Sequence, residues 1–214
     1  MPKLRVHNLS ISLDGFAAGP DQSVEAPLGV GGEALHDWVF ATRYWRQMIG
    51  EEGGDEGADD RFMAQGDEGI GAHVMGRNMF GPIRGDWGDE EWKGWWGDNP
   101  PYHHSVFVLT HHPRPPLEME GGTTFHFVHE GIETALERAF DAADGNDVRL
   151  GGGASTVQQY LNAGLIDDMH FVITPVLLGG GARLFDNLNA GANGYECTEF
   201  ASSSSVAHVR ISKR

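Results

Sequence analysis

The segment VRLGGGASTVQQYL, residues 148–161, limits the folds open to this chain more than any other. A short apolar strand runs into three consecutive glycines and opens at once into an amphipathic helix. That helix starts at Ala154, Ser155 and Thr156, carries Val157, Tyr160 and Leu161 on one face, and places Gly164 just past its end. Glycines lack Cβ atoms, so the backbone at 151–153 can approach a ligand closely. Its free N–H groups meet the positive end of the helix dipole, an arrangement suited to phosphate or pyrophosphate. No lysine follows the glycines, and the GxGxxG spacing is absent, so neither the nucleotide-triphosphatase loop nor the commonest dinucleotide fingerprint applies. The other reading is a tight strand–helix turn whose glycines serve only packing.

The rest of the sequence extends this unit. Strands are expected at Leu4–Ser12, Ala72–Met75, Ser105–Leu109, Thr124–Val128, Val148–Leu150 and Met169–Leu178. Helices are expected at Ala34–Ile49, Ile132–Ala143 (stopped by Gly145) and Ala154–Ala163. Tyr195–Ala201 and Val206–Ser212 form a closing hairpin around the serines at 202–205. Alternating strands and helices predict one α/β domain over 1–214, a mainly parallel sheet flanked by helices with a C-terminal antiparallel hairpin. Acidic residues are unevenly spread: 13 of 31 lie between Glu51 and Asp98, against four basic ones. Residues 51–68 read as a solvated acidic loop or insertion with one frayed helix.

Composition narrows the partners. A net charge of −16 argues against nucleic acid and against an anionic membrane surface. No apolar run is long enough to span a bilayer, the N-terminus has no signal-peptide core, and Cys197 has no second cysteine to pair with. A reducing cytoplasm and a small-molecule substrate are the expectation. The eleven histidines show no metal-ligand spacing, so no metal is expected.

Two further strand ends offer chemistry. At AHVMGRNMFGP, Gly76 stops a strand and Arg77 enters the next turn. At VFVLTHHPRPP, Thr110, His111 and His112 follow a strand end, where open α/β sheets place ligands. Arg77 is otherwise a surface residue paired with a nearby carboxylate.

These pieces, with NLSISLDGFAAG at 8–19 and VRLGGGASTVQQYLNAGLIDDMHFVITPVLLGGGARLF at 148–185, resemble the dihydrofolate-reductase-like superfamily. The branch is the reductase domain of the riboflavin-biosynthesis deaminase-reductases, and the resemblance covers essentially the whole chain. It implies the dihydrofolate-reductase-like fold, a homodimer and NADPH. Gly151, Gly152, Gly153, Ala154 and Ser155 would wrap the pyrophosphate, and Gly76, Arg77 and Asn78 would lie at the adenosine-phosphate end. Thr110, His111 and Arg114 would be close to the 2′-phosphate, Met75 beside the cofactor, and Ala17 and Ala18 near the nicotinamide. The implied function is NADPH-dependent reduction of a small pyrimidine- or pterin-like heterocycle. The 5-amino-6-(5-phosphoribosylamino)uracil reduction of riboflavin synthesis falls within that class. A non-catalytic NADP(H)-binding sensor or scaffold is the alternative.

No acid aligns with the one that contacts substrate in folate reductases. Asp14, Glu33 and Asp37 are the candidates, with Asp14 otherwise a turn residue and Glu33 and Asp37 otherwise acids at a helix start. Trp38 and Trp92 are the candidate stacking residues for a flat ring. The tryptophans at 87, 92, 95 and 96 serve equally as a satellite core or a dimer interface.

Overall fold

The computed structural model describes residues 1–81, 85–88 and 92–214. In chain order the strands are β1 (Leu4–Ser12), β2 (Phe16–Ala18), β3 (Ile70–Gly76), β4 (Ser105–Leu109), β5 (Leu117–Glu118), β6 (Thr124–Val128), β7 (Asp147–Leu150), β8 (Asp168–Thr174), β9 (Ala182–Arg183), β10 (Tyr195–Ser202) and β11 (Ala207–Lys213). The helices are α1 (Asp37–Phe40), α2 (Arg43–Met48), α3 (Ala58–Asp67), α4 (Arg77–Phe80), α5 (Ile132–Ala142) and α6 (Ala154–Asn162).

Nine strands form one sheet in the order β10-β11-β8-β1-β7-β3-β4-β6-β5. From β8 to β6 neighbouring strands run parallel, and the C-terminal hairpin adds antiparallel strands at one edge. At the opposite edge the two-residue β5 is also antiparallel. One face of the sheet is covered by α5 and α6. Ala135, Leu136 and Ala139 of α5 and Val157, Tyr160 and Leu161 of α6 pack on Leu4, Val6, Ala72, Val74, Val148 and Leu150. Parallel strands need both faces buried, and this apolar layer meets half of that requirement. Gly164, at φ 64, closes α6 with its N–H on the Leu161 carbonyl at 2.9 Å, as its place after the helix predicted.

The other face is divided. Under β4 and β6 an aromatic cluster gathers Phe80, Trp87, Phe125 and Phe127 around Met75. Over β1, β8 and β11 lie α1, α2 and α3.

Three expectations change here. The helix expected over 34–49 is a 3-10 turn at Gly32–His36 followed by α1 and α2. The break comes at Thr42, whose hydroxyl donates to the Val39 carbonyl at 2.7 Å and accepts from the Trp45 N–H at 3.2 Å. The strand expected to run from Met169 to Leu178 ends at Thr174. The acidic stretch 51–68 is no solvated insertion over its second half. Helix α3 buries Phe62 completely, its ring stacked across the adjacent imidazoles of His170 (centroids 4.4 Å, 6° between planes) and His208 (4.3 Å, 16°). Of its acids, Asp59 bonds the buried His208 and Asp67 pairs with Arg149. In the tryptophan-rich stretch, residues 89–91 lie outside those described, and Trp92, Trp95 and Trp96 lie outside any helix.

Candidate active site

The parallel strands deliver their C-terminal ends to one edge, and a cleft of about 1310 Å³ opens there and continues down the α1–α3 face. It has a rim of backbone and a floor of polar side chains.

The rim is the glycine turn. Gly152 sits at φ 119, a conformation closed to residues with a side chain, and the Gly152–Gly153 peptide is cis. The turn is laced to β3 through Gly76 N–H to the Gly152 carbonyl (2.7 Å) and Gly151 N–H to the Val74 carbonyl (2.9 Å). Gly76 is required by close approach, because a Cβ there would run into Thr156 Oγ1. Among the described residues the N–H groups of Gly152, Gly153, Ala154 and Ser155 have no acceptor. A Cβ on Gly153 would meet nothing within 4 Å. Four orphan donors at the start of a nine-residue helix, beside open space, fit an anionic pyrophosphate.

Around this turn the structure gathers most of the residues expected from sequence. Ala17, Ala18, Gly76, Arg77, Asn78, Thr110, His111, Gly151, Gly153, Ala154 and Ser155 all line the cleft. Arg77 stacks over Trp87, its guanidinium carbon 3.8 Å from the ring centroid. Asn78 spans to the first loop, donating to Gln22 Oε1 at 3.2 Å. That loop is shaped by the second glycine cluster, because β2 pairs with β9.

Other expectations are not brought to the cleft. Met75 is fully buried in the aromatic cluster, away from the lining. Arg114 donates to the Trp92 carbonyl at 2.7 Å and packs over Trp87 and Phe127. Of the candidate acids, Asp14 is a turn residue. It accepts from Ser12 Oγ (2.6 Å) and from the N–H groups of Gly179 (2.7 Å) and Leu178 (3.1 Å). Those bonds, Ser12's foremost, hold its carboxyl at about 2. Glu33 and Asp37 are exposed and outside the lining, while His36 between them lines it. Trp38 is buried, donating to Ser10 Oγ at 2.9 Å, and Trp92 donates to the Phe80 carbonyl at 2.9 Å; neither lines the cleft. Trp45, Trp95 and Trp96 do.

The floor was not visible in the sequence. Arg149 and His73 sit side by side in register on β7 and β3, on the face away from α5 and α6. Arg149 pairs with Asp67, the last residue of α3, and its Nη2 donates to the His7 carbonyl at 3.1 Å. Tyr44 Oη donates to Asp67 Oδ2 at 3.0 Å; burial and the Asp67 charge push the tyrosine up to about 12. His73 Nδ1 lies 2.6 Å from His104 Nε2, and burial lowers both imidazoles, so the pair is neutral. The signal that could have revealed part of this floor is a polar residue inside an apolar strand: His7, His73 and Arg149. Asp67 and Tyr44 carry no such signal.

A buried chain fixes the floor's edge. The Asn8 N–H donates to His170 Nδ1 (3.2 Å), so His170 Nε2–H faces His208 Nδ1 (3.1 Å) and His208 Nε2–H faces Asp59 (2.7 Å). Every tautomer follows from the first bond. The chain holds the β1 bulge at Asn8, where φ is 58, and anchors the start of α3. His7 donates to Asp168 at 3.0 Å. Burial alone would raise the Asp168 carboxyl, but His7, Arg210 and Ser212 together hold it well below the usual carboxylate range.

A mainly parallel sheet with its C-terminal hairpin and a glycine turn feeding the cleft defines a dihydrofolate-reductase-like protein. Residues 2–208 match the RibD C-terminal domain model, and the chain belongs to that family. Solved structures agree in fold. A Shewanella sp. PV-4 protein named for riboflavin biosynthesis is 22% identical, with TM-score 0.61 and 99% of each chain covered. The deaminase/5-amino-6-(5-phosphoribosylamino)uracil reductase of Thermotoga maritima is 13% identical with TM-score 0.56, all of this chain covering 57% of that one. Enterococcus faecalis dihydrofolate reductase, complexed with NADP(H), is 12% identical with TM-score 0.51, covering 99% of this chain and 96% of that one. No curated protein sequence matches the chain.

Proposed function

We propose that this chain is an NADPH-dependent reductase of a small heterocycle of the pyrimidine or pterin kind. The observation that carries the reading is the run of unaccepted N–H groups from Gly152 to Ser155, of which Gly153, Ala154 and Ser155 line the cleft. Gly152, Gly153, Ala154 and Ser155 would hold the pyrophosphate through their N–H groups, with Gly151 shaping the turn, Arg77 and Thr110 flanking the adenosine end and Ala17 and Ala18 the nicotinamide end. When bound, the cofactor supplies a hydride from nicotinamide C4 to a C=N or C=O carbon, and a proton completes the reduction. The chain contributes position: the β2 loop covers one side, the glycine turn fixes the other, and α2 and α3 wall the space beneath. Family membership and the NADP(H) complex of the folate reductase support the reading.

The test is titration of the protein with NADPH, followed by tryptophan fluorescence, then loss of reduced-nicotinamide absorbance over a panel of oxidised pyrimidines and pterins. Micromolar quenching and turnover of at least one ring are expected. Absence of NADPH binding would sink the reading.

A further inference from the structure

The deep floor of the cleft has a chemistry of its own. From Gly76 back to His73 is three residues, about 10 Å along the strand. His73 and the polar groups beside it lie at that depth below the rim. We propose that this floor is a subsite for an uncharged, polyhydroxylated substituent of the substrate, a sugar or polyol carrying no phosphate. The proposal rests on the reductase reading for the position of the ring.

Three features carry it. The His73–His104 pair shares one proton between Nδ1 and Nε2, so whichever way that proton lies, its two outer nitrogens comprise one donor and one acceptor. A hydroxyl, which both donates and accepts, matches such a pair. The Tyr102 hydroxyl also lines the cleft and has no hydrogen-bond partner among the described residues. Its ring packs edge-on to His73 at 4.9 Å and to Trp96 at 5.1 Å, giving apolar walls for the C–H faces of a sugar.

The third feature is the charge balance. Arg149 is neutralised by Asp67, and Asp67 accepts from Tyr44 on its other oxygen. A phosphate arriving here would face the Asp67 carboxylate and find the guanidinium already engaged, and burying an uncompensated dianion is costly. A neutral hydroxyl is met instead by the His73–His104 pair and the Tyr102 hydroxyl, and leaves the Arg149–Asp67 pair undisturbed.

The experiment is calorimetry with three related rings, pterin, neopterin and neopterin monophosphate, and in parallel uracil, uridine and uridine 5′-monophosphate. Each is titrated into the protein with and without saturating NADPH. In at least one series the hydroxylated member is expected to bind tenfold or more tighter than both the bare ring and the phosphate. Tyr102→Phe and His104→Leu should each remove at least threefold of that increment while leaving NADPH affinity unchanged. Asp67→Asn frees the Arg149 charge and should improve the phosphate relative to the hydroxylated ligand about tenfold. Equal or tighter binding of the phosphates in the unmutated protein overturns the proposal. So does an increment that survives both variants, or no binding of any member. If NADPH fails to bind, the reductase reading falls, and the cofactor-free titrations still decide the subsite.

Discussion

The rim and the floor of the cleft are built in opposite ways. The rim is contiguous: Gly151 to Ser155 are consecutive, and their unaccepted amides are a property of one strand–helix turn. The floor is assembled from β1, α2, α3, β3, β7 and the approach to β4, and most of its polar groups are side chains. The rim therefore tolerates change anywhere except in itself. The floor depends on packing far from it, above all on Phe62, which pins α3 onto two adjacent histidines and so delivers Asp67 to Arg149.

That contrast can be broken from either side. The largest effect is expected from Phe62→Ala, a fully buried aromatic removed from the shared face of His170 and His208. It should cost about 3–5 kcal/mol, a fall of about 6–20 °C in Tm for a chain of this size. Thermal melts read it directly, and an unchanged melt would separate α3 from the core. Gly153→Asp is the opposite probe. A Cβ at 153 meets nothing within 4 Å, so stability should move by less than about 0.5 kcal/mol. A carboxylate placed in the anion cradle should weaken NADPH roughly 100-fold, about 3 kcal/mol. A melt that falls while cofactor affinity holds would invert the assignment of rim and floor.

Smaller effects sharpen the picture. Arg77→Ala removes a guanidinium stacked on Trp87 at the rim. It should weaken NADPH about tenfold and leave NADH nearly unchanged; equal losses would place the 2′-phosphate elsewhere. On the floor side, His170 is pushed by burial from 6.5 down to about 2. Below 6.5 the unfolded chain takes up a proton that the folded one refuses. Stability is thus complete above that pH and is lost as pH falls, by up to about 1.4 kcal/mol per unit. His170→Gln should be less stable at neutral pH yet show a flatter decline towards about pH 5. A parallel decline in both proteins would remove His170 from the buried chain's titration.

Legibility followed the same division. The glycine turn, the Gly76–Arg77 junction and Thr110–His111 were readable because each is a strand end whose neighbours in space are its neighbours in sequence. Met75, Arg114, Trp38 and Trp92 were misplaced because their side chains turn to packing partners that local pattern does not name. Arg114 is taken by the Trp92 carbonyl, and Trp38 by Ser10. The candidate acids failed for the same reason. Asp14 is consumed by backbone amides of the second glycine cluster, and the acid that does face the cleft, Asp67, ends a helix in the stretch that composition marked as solvent.

By itself the sequence determined the parallel α/β layout, the closing hairpin and the glycine turn at the cleft's rim, because strand and helix periodicity and glycine's missing Cβ are local properties. Tertiary structure alone decided what lies beneath that turn. Arg149, His73, Asp67, Tyr44 and His104 come from five separate segments, and neither their pairing nor their charge states exist until the sheet aligns them and burial strips away the water that would otherwise solvate each one alone.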